Sequence, residues 1–255
     1  MNLLFLGDVV GEIGSEFVGE KLGGLKKFYN AEIVIVNGEN SANGNGITPH
    51  SAKYLFSHGA DIITTGNHCY RRREIYETMD REERLLRPAN FPEGNPGHGV
   101  CLYDMGKCTV AVINLMGTVY MEALDNPFST VDKILGEIDT PNIFVDFHAE
   151  ATGEKKAMGF YLAGKVTAVF GTHTHVQTAD ETILSGHTGY ITDAGMCGPE
   201  LSVLGVKTEI AIEKQRYHAP VRFTESDNSP FINGVIVEFD QKNGKCVAIE
   251  RLVIR

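Results

Sequence analysis

Val166-Thr-Ala-Val-Phe-Gly-Thr-His-Thr-His175 is the stretch from which the rest of the chain is read. Val166 to Phe170 is a compact apolar run, the signature of a buried strand. Gly171-Thr-His173-Thr-His175 follows it directly. Two histidines one residue apart, just past a strand end, can face a common point from a loop. That suits a metal ion. Taken alone it is a weak signal, because polar loops hold histidines for many reasons. The same order, a strand and then a metal-capable residue, recurs at four other places.

Leu3 to Leu6 runs into Asp8. Glu32 to Val36 is a β-branched run, hence a buried parallel strand, and ends at Glu39-Asn40. Ala60 to Thr65 leads to Asn67-His68, and Ile143 to Phe147 to His148. Between the first three lie helical patterns. Ser15 to Phe28 carries Val18, Leu22, Leu25 and Tyr29 on one face. Thr48-Pro49 opens a helix that Gly59 closes. A charged helix is predicted over Glu74 to Leu86. Alternating strand and helix favours a parallel sheet with right-handed crossovers.

The middle of the chain changes character. Gly99 to Met105 and Cys108 to Leu115 form an antiparallel hairpin around Gly106-Lys107. Ser129 with Asp132 resembles a capping box for a helix to Ile138. Thr152 is placed to cap a helix to Ala163. Gly189 to Asp193 is a short strand, and Val203 to Lys214 is read as helical. The chain ends in a hairpin, Gly234 to Asp240 and Cys246 to Ile254, turned at Asn243-Gly244. No repeat, low-complexity tract or linker interrupts residues 1–255. The expectation is one α/β domain with a mixed or two-sheet core.

Bulk composition narrows the function. The 255 residues are 42% hydrophobic, enough for a substantial core. No run is long enough to span a bilayer, and no basic segment precedes Leu3, so a cytoplasmic location without membrane attachment is expected. Five cysteines without a C-x-x-C argue against a disulfide framework and a zinc finger. A net charge of −10 argues against broad adhesion to nucleic acid, but not against a small phosphorylated ligand held by metal ions.

The candidate donors are Asp8, Glu39, Asn40, Asn67, His68, His148, His173 and His175. Ligands in α/β folds collect beyond the carboxyl ends of strands, so parallel strands would bring these side chains to one edge. Imidazoles, carboxylates and amide oxygens suit Mn, Fe or Zn better than calcium. Seven or eight donors exceed the needs of one ion and suggest two, with a carboxylate such as Glu39 bridging them. Two ions can activate water and clamp an in-line displacement at phosphorus. Each residue also has a plain structural reading, as a turn former, a loop cap or a solvated charge. The recurrence after five strands outweighs those readings. Arg71-Arg72-Arg73 reads first as a solvated helix start and second as a phosphate contact. His50, His58, His98, His187 and His218 follow no such strand and are assigned to the surface or to loops.

These motifs resemble the calcineurin-like metallophosphoesterase series. More narrowly, Gly7-Asp-Val-Val-Gly11, Gly38-Glu-Asn-Ser-Ala-Asn-Gly44 and Thr192-Asp-Ala-Gly-Met-Cys-Gly-Pro199 resemble the YmdB-type bacterial phosphodiesterases. The resemblance implies a four-layer sandwich, two mixed β-sheets flanked by helices. It implies one divalent ion on Asp8, Glu39, Asn40 and His175, and another on Glu39, Asn67, His148 and His173. The wider superfamily has Asp-x-His at the first motif; here Val10 replaces that histidine and Asn40 stands as the substitute ligand. His68 would lie outside the metal ligands as the general acid. Cys69-Tyr70 departs from the threonine and aromatic common in the narrower group, which bears on substrate contact and on the orientation of His68.

The expected function is a binuclear, metal-dependent phosphodiesterase, with Fe or Mn favoured over Zn. A metal-bridging hydroxide would attack a 2′,3′- or 3′,5′-cyclic nucleotide, or another small phosphodiester, while His68 protonates the leaving group. The rival is a metal-stabilised regulatory protein with weak catalysis, acting on an RNA-processing or signalling partner. A monoesterase is a third reading. The resemblance also implies a homo-oligomer.

Overall fold

The apolar runs form the inner strands of two stacked sheets. The computed structural model describes residues 1–255. Its elements are β1 (Asn2–Leu6), β2 (Asp8–Val9), α1 (Gly11–Phe28), β3 (Ile33–Asn37), α2 (Pro49–Ser57), β4 (Ile62–Thr64), α3 (Tyr76–Arg81), β5 (Val100–Asp104), β6 (Thr109–Met116), α4 (Pro127–Leu135), β7 (Ile143–His148), α5 (Thr152–Leu162), β8 (Ala168–Thr172), β9 (Thr182–Leu184), β10 (Thr188–Ile191), β11 (Met196–Pro199), α6 (Thr208–Tyr217), β12 (Pro230–Asp240) and β13 (Lys245–Ile254).

The first sheet runs β2-β11-β12-β1-β3-β4, with β13 on the other side of β12. Within it β1, β3 and β4 are parallel, and β12 is antiparallel to β1. The second runs β5-β6-β7-β8-β10-β9. Its four central strands are parallel, and β5 and β9 flank them antiparallel.

Side-chain alternation assigns the layers. Leu3, Phe5, Ile33 and Ile35 meet Phe144 and Phe170 between the sheets. The Phe5 and Phe170 rings stack at 4.3 Å. On the other face, Leu4, Leu6, Val34 and Val36 pack on Val18 and Leu22 of α1 and Leu55 of α2. Ile113, Val145 and Val169 of the second sheet pack on Val131 of α4 and Met158 and Leu162 of α5. The result is α/β/β/α. Strands buried on both faces need continuous apolar sequence, and each such side chain contributes about 1.5–3 kcal/mol.

Several local expectations change. The helix placed over Glu74 to Leu86 is a 3₁₀ turn at Arg73–Ile75 followed by α3, and it stops at Arg81. Beyond it the chain runs alongside β4, where Ile63 N donates to Arg84 O and Leu86 N to Ile63 O. Edge pairing outcompetes one more helical turn. Helix α4 begins earlier than the Ser129 box, because Asn126 accepts from Phe128 N and Ser129 N and Pro127 fits the first turn. Thr152 is the first residue of α5 rather than its cap; Ala151 holds the cap position without a side-chain bond. The helix expected at Val203 begins at Thr208, since Val203 and Val206 pair with each other. Strands β2, β9 and β11, too short to show a period, were not anticipated.

The donor-bearing strands fall in two sheets rather than at one edge. Asp8, Glu39, Asn40, Asn67 and His68 follow the first sheet's β1, β3 and β4, while His148, His173 and His175 come from β7 and β8 of the second. No helix is long and apolar enough to cross a membrane. All five cysteines are free.

Candidate metal centre

His148 Nε2 is the centre of a crowd of donor atoms. Asn67 Oδ1 lies 2.9 Å away, His173 Nδ1 3.0 Å and Glu39 Oε1 3.2 Å. Donors around one ion at about 2.0–2.2 Å sit roughly 3.0–3.5 Å apart, so this spacing is that of a coordination shell. Glu39, His148 and His173 each aim a ligand atom at one point. On the other side of Glu39, His175 Nε2 lies 3.3 Å from Asn40 Nδ2 and 3.9 Å from Asp8 Oδ1. That Asp8 oxygen is buried and has no hydrogen-bond partner. An orphaned buried carboxylate oxygen is costly unless a cation satisfies it. The residues therefore fit a metal, and Asn40 Nδ2, which donates to Glu39 Oε1 at 3.1 Å, brings Asn40 and His175 up beside that cluster.

The outer nitrogens of the imidazoles fix which nitrogen is free. Thr172 Oγ1 donates to Asp146 Oδ1 at 2.7 Å and lies 2.9 Å from His148 Nδ1. The hydroxyl has spent its proton on Asp146, so Nδ1 donates to it and Nε2 keeps a lone pair for the centre. His173 Nε2 lies 3.0 Å from the Glu150 carboxylate, which can only accept, so its Nδ1 is free. His175 Nδ1 donates to Leu204 O at 3.2 Å, leaving Nε2 free. Acceptors behind histidines are how proteins orient metal ligands. Asp146, Thr172 and Glu150 were missed as supports; only the carboxylates flanking His148 signalled them.

Local backbone explains how these side chains arrive. Asp146 accepts from Asn37 of β3, Thr64 of β4 and Thr172 of β8, and so ties the two sheets together beneath the centre. Gly66 lies so close that a Cβ there would come 2.2 Å from His148 Cδ2 and 2.4 Å from Glu39 Oε2. His173 and His175 adopt φ of +99° and +62°, unfavourable for side-chain-bearing residues. Asp193 holds that loop, accepting from Thr174 N at 3.0 Å and Thr174 Oγ1 at 2.6 Å. Asp193 is itself paired with buried Lys155 at 2.6 Å.

Burial pushes the Asp8 carboxyl up. Glu39 is also buried, yet the pull of His148 and His68 outweighs burial and holds it well below the usual range. Burial works against a charge on His148, but Glu39, Asp8 and Asp146 outweigh it and raise the ring to about 9. Burial, then the neighbouring His148, lowers His173 to about 3. A positive charge is thus drawn to this spot even when only a proton can supply it.

His68 sits at the rim. Its backbone N–H donates to Glu39 Oε2 at 3.1 Å, and its Nδ1 lies 2.7 Å from Asn40 Oδ1. It lines a cleft of about 500 Å³ with His173, His175, Leu204 and Phe223. Cys69 is buried in the core, and Tyr70 packs on Tyr76 and Phe91 while its hydroxyl donates to Pro96 O. Neither lines the cleft. Of the histidines assigned elsewhere, His50, His58, His98 and His218 are exposed and His187 is half-buried.

A family model described as YmdB-like protein matches residues 4–252. A Bacillus subtilis (strain 168) protein named 2′,3′-cyclic-nucleotide 2′-phosphodiesterase is 46% identical, covering 100% of this chain and 97% of the relative. A crystal structure of a novel phosphatase from Mycoplasma pneumoniae is similar with a TM-score of 0.95 and 34% identity, over 100% of this chain and 93% of the other. A hypothetical protein from Thermus thermophilus is similar with a TM-score of 0.94 and 36% identity, over 99% and 98% of the two chains.

Proposed function

The chain belongs to the YmdB-like family, and on that premise we propose that it is a metal-dependent phosphodiesterase that opens 2′,3′-cyclic nucleotides. The observation that carries this reading is the set of lone pairs crowded on His148 Nε2 beside the orphaned Asp8 oxygen. We assign Glu39, Asn67, His148 and His173 to one ion, and Asp8, Glu39, Asn40 and His175 to the other. Two divalent ions there, Fe or Mn before Zn, would supply an activated water and neutralise charge developing on the phosphoryl oxygens.

His68 is the proton donor to the leaving oxygen. Its state is coupled to Asn40. If the Asn40 amide turns its oxygen toward His175 as a ligand, its Nδ2 faces His68 Nδ1. Nδ1 then accepts, and a neutral His68 carries its proton on Nε2. Ligation by Asn40 thus sets His68 as an acid. Packing of Cys69 and Tyr70 away from the cleft supports hydrolysis over the regulatory reading.

Chelator-treated protein reloaded with Mn²⁺ or Fe²⁺ should bind close to two ions per chain. It should open 2′,3′-cyclic AMP and cleave bis-p-nitrophenyl phosphate while leaving monoesters intact. Metal-loaded protein that turns over neither diester would sink the proposal. His68→Ala should keep its metal and lose roughly 10²–10⁴ in rate, the range of a general acid. Loss of metal instead would make His68 a ligand.

A further inference from the structure

The cleft continues past His68. Beyond that ring it opens into a second lobe of about 670 Å³, and His68, Leu204 and Phe223 line both lobes. One molecule can therefore occupy the two together. The chain carries a net charge of −10, yet Arg71 and Arg72 line one wall of this lobe and Arg222 another. Arg72 is engaged: its Nε donates to Asn45 O at 3.0 Å and its Nη2 to Ala42 O at 3.3 Å. Arg71 and Arg222 are exposed, and their guanidiniums have no protein partner. The lobe's one carboxylate, Glu225, does not neutralise them. It lies against Gly11 at the start of α1, where a Cβ would come 2.1 Å from its Oε2.

The position of His68 assigns what these arginines meet. If phosphorus lies over the metal-capable cluster and His68 protonates the leaving 2′-oxygen, the nucleoside bearing that oxygen extends past His68. Its 5′ side then enters the arginine lobe. Guanidinium groups there suit a phosphate, as paired, charge-assisted contacts. Phe223, 58% exposed between the lobes, offers a ring face on which a base can stack. Arginine and exposed aromatic side by side are the elements that hold single-stranded RNA.

We propose that this cleft takes the 3′ end of an RNA carrying a terminal 2′,3′-cyclic phosphate, with the preceding phosphodiester between Arg71 and Arg222 and a base on Phe223. The inference rests on the phosphodiesterase reading above. In the step itself a water oxygen bonds to phosphorus and gives up one proton to solvent, the P–O2′ bond breaks, the proton from His68 goes to O2′, and His68 regains a proton from solvent. The RNA is left with a 3′-phosphate and a free 2′-hydroxyl.

Three substrates test this with the metal-loaded protein: adenosine 2′,3′-cyclic phosphate, its 5′-phosphorylated form, and the dinucleotide ApA ending in a 2′,3′-cyclic phosphate. The dinucleotide should exceed the nucleoside in kcat/KM by about tenfold or more, the discrimination expected of one charge-assisted contact. That advantage should shrink as salt rises. In an Arg71→Ala, Arg222→Ala double variant the ratio of dinucleotide to nucleoside should fall toward one, whereas a folding defect would lower both rates together. Phe223→Ala should lower the ratio of dinucleotide to 5′-phosphorylated nucleoside. Equal kcat/KM for all three substrates overturns the proposal. So does a 5′-phosphorylated nucleoside as good as the dinucleotide, which would make the lobe a seat for one terminal phosphate. Affinities for the 3′-phosphate products of ApA and of adenosine give a readout independent of turnover. Tighter binding of the dinucleotide supports the RNA end even if catalysis fails, and equal binding overturns it.

Discussion

The loop carrying His173 and His175 and the segment 200–228, which crosses the same cleft, are held in opposite ways. The first is strained but locked. Its positive φ angles are maintained by Asp193, whose carboxylate receives both Thr174 groups and pairs with Lys155 in the interior. The second lies open. Leu201, Leu204 and Phe223 are exposed, and outside α6 its backbone bonds run mostly within the segment itself, between Val203 and Val206 and between the stretches around Val206 and Glu225. Donor atoms must hold their places to within a fraction of an ångström, so they stand on rigid strand ends. The wall past which substrate enters needs no such precision, and regions with few buried contacts are the ones that open locally. The two meet at one bond, His175 Nδ1 to Leu204 O, so the open segment orients this imidazole through its backbone alone.

That contrast can be broken most completely at Gly66. In Gly66→Ala the new Cβ would displace His148 and Glu39 together, although no donor is replaced. Metal content and turnover should fall by more than about 100-fold, beyond the effect of altering one outer support. Retained metal in elemental analysis would mean that the donors are not rigidly held. Next in size is Lys155→Met, which leaves Asp193 charged and buried. We expect a loss of about 3–5 kcal/mol in urea denaturation, because a buried pair deprived of one partner is strongly destabilising.

A smaller effect depends on pH. Burial would raise Asp180, but bonds from Thr192, Thr178 and Lys156 outweigh it and hold the carboxyl at about 2, below its usual 3.8. A depressed folded-state pKa contributes stability that is complete above the unfolded value and fades as pH falls through the folded one. Acid unfolding should therefore steepen between pH 3.8 and about 2. Asp180→Asn should flatten that interval; identical acid titrations would exclude the anchor. The smallest effect is expected in the open segment. Leu204→Ala keeps the carbonyl that holds His175, and stability should stay within about 0.5 kcal/mol. A larger loss in thermal unfolding would show that the segment is packed rather than open.

Much of this arrangement is legible in the amino-acid sequence. β-branched and apolar runs announce the inner strands, because strands buried on both faces tolerate little else. A polar, metal-capable residue directly after each run marks where the chain leaves the core, so the eight candidate site residues could be named from local order alone. Helix ends were less legible. Pairing of Leu86 with Ile63 ends α3, and Asn126 rather than Ser129 starts α4; in each case a neighbour or a stronger cap overrode a plausible local pattern.

By itself, then, the sequence determined which residues lie at strand ends and what chemistry they can carry, since both are properties of adjacent positions. Only the tertiary structure decided that these strands divide between two sheets, that Asp146 joins the sheets beneath the centre, and that Glu39 of the first sheet lies against His148 of the second. It alone brought Glu150, Leu204 and Thr172 behind the three imidazoles. Those relations join positions far apart in the chain, and two packed sheets rather than any local periodicity put them within hydrogen-bond reach.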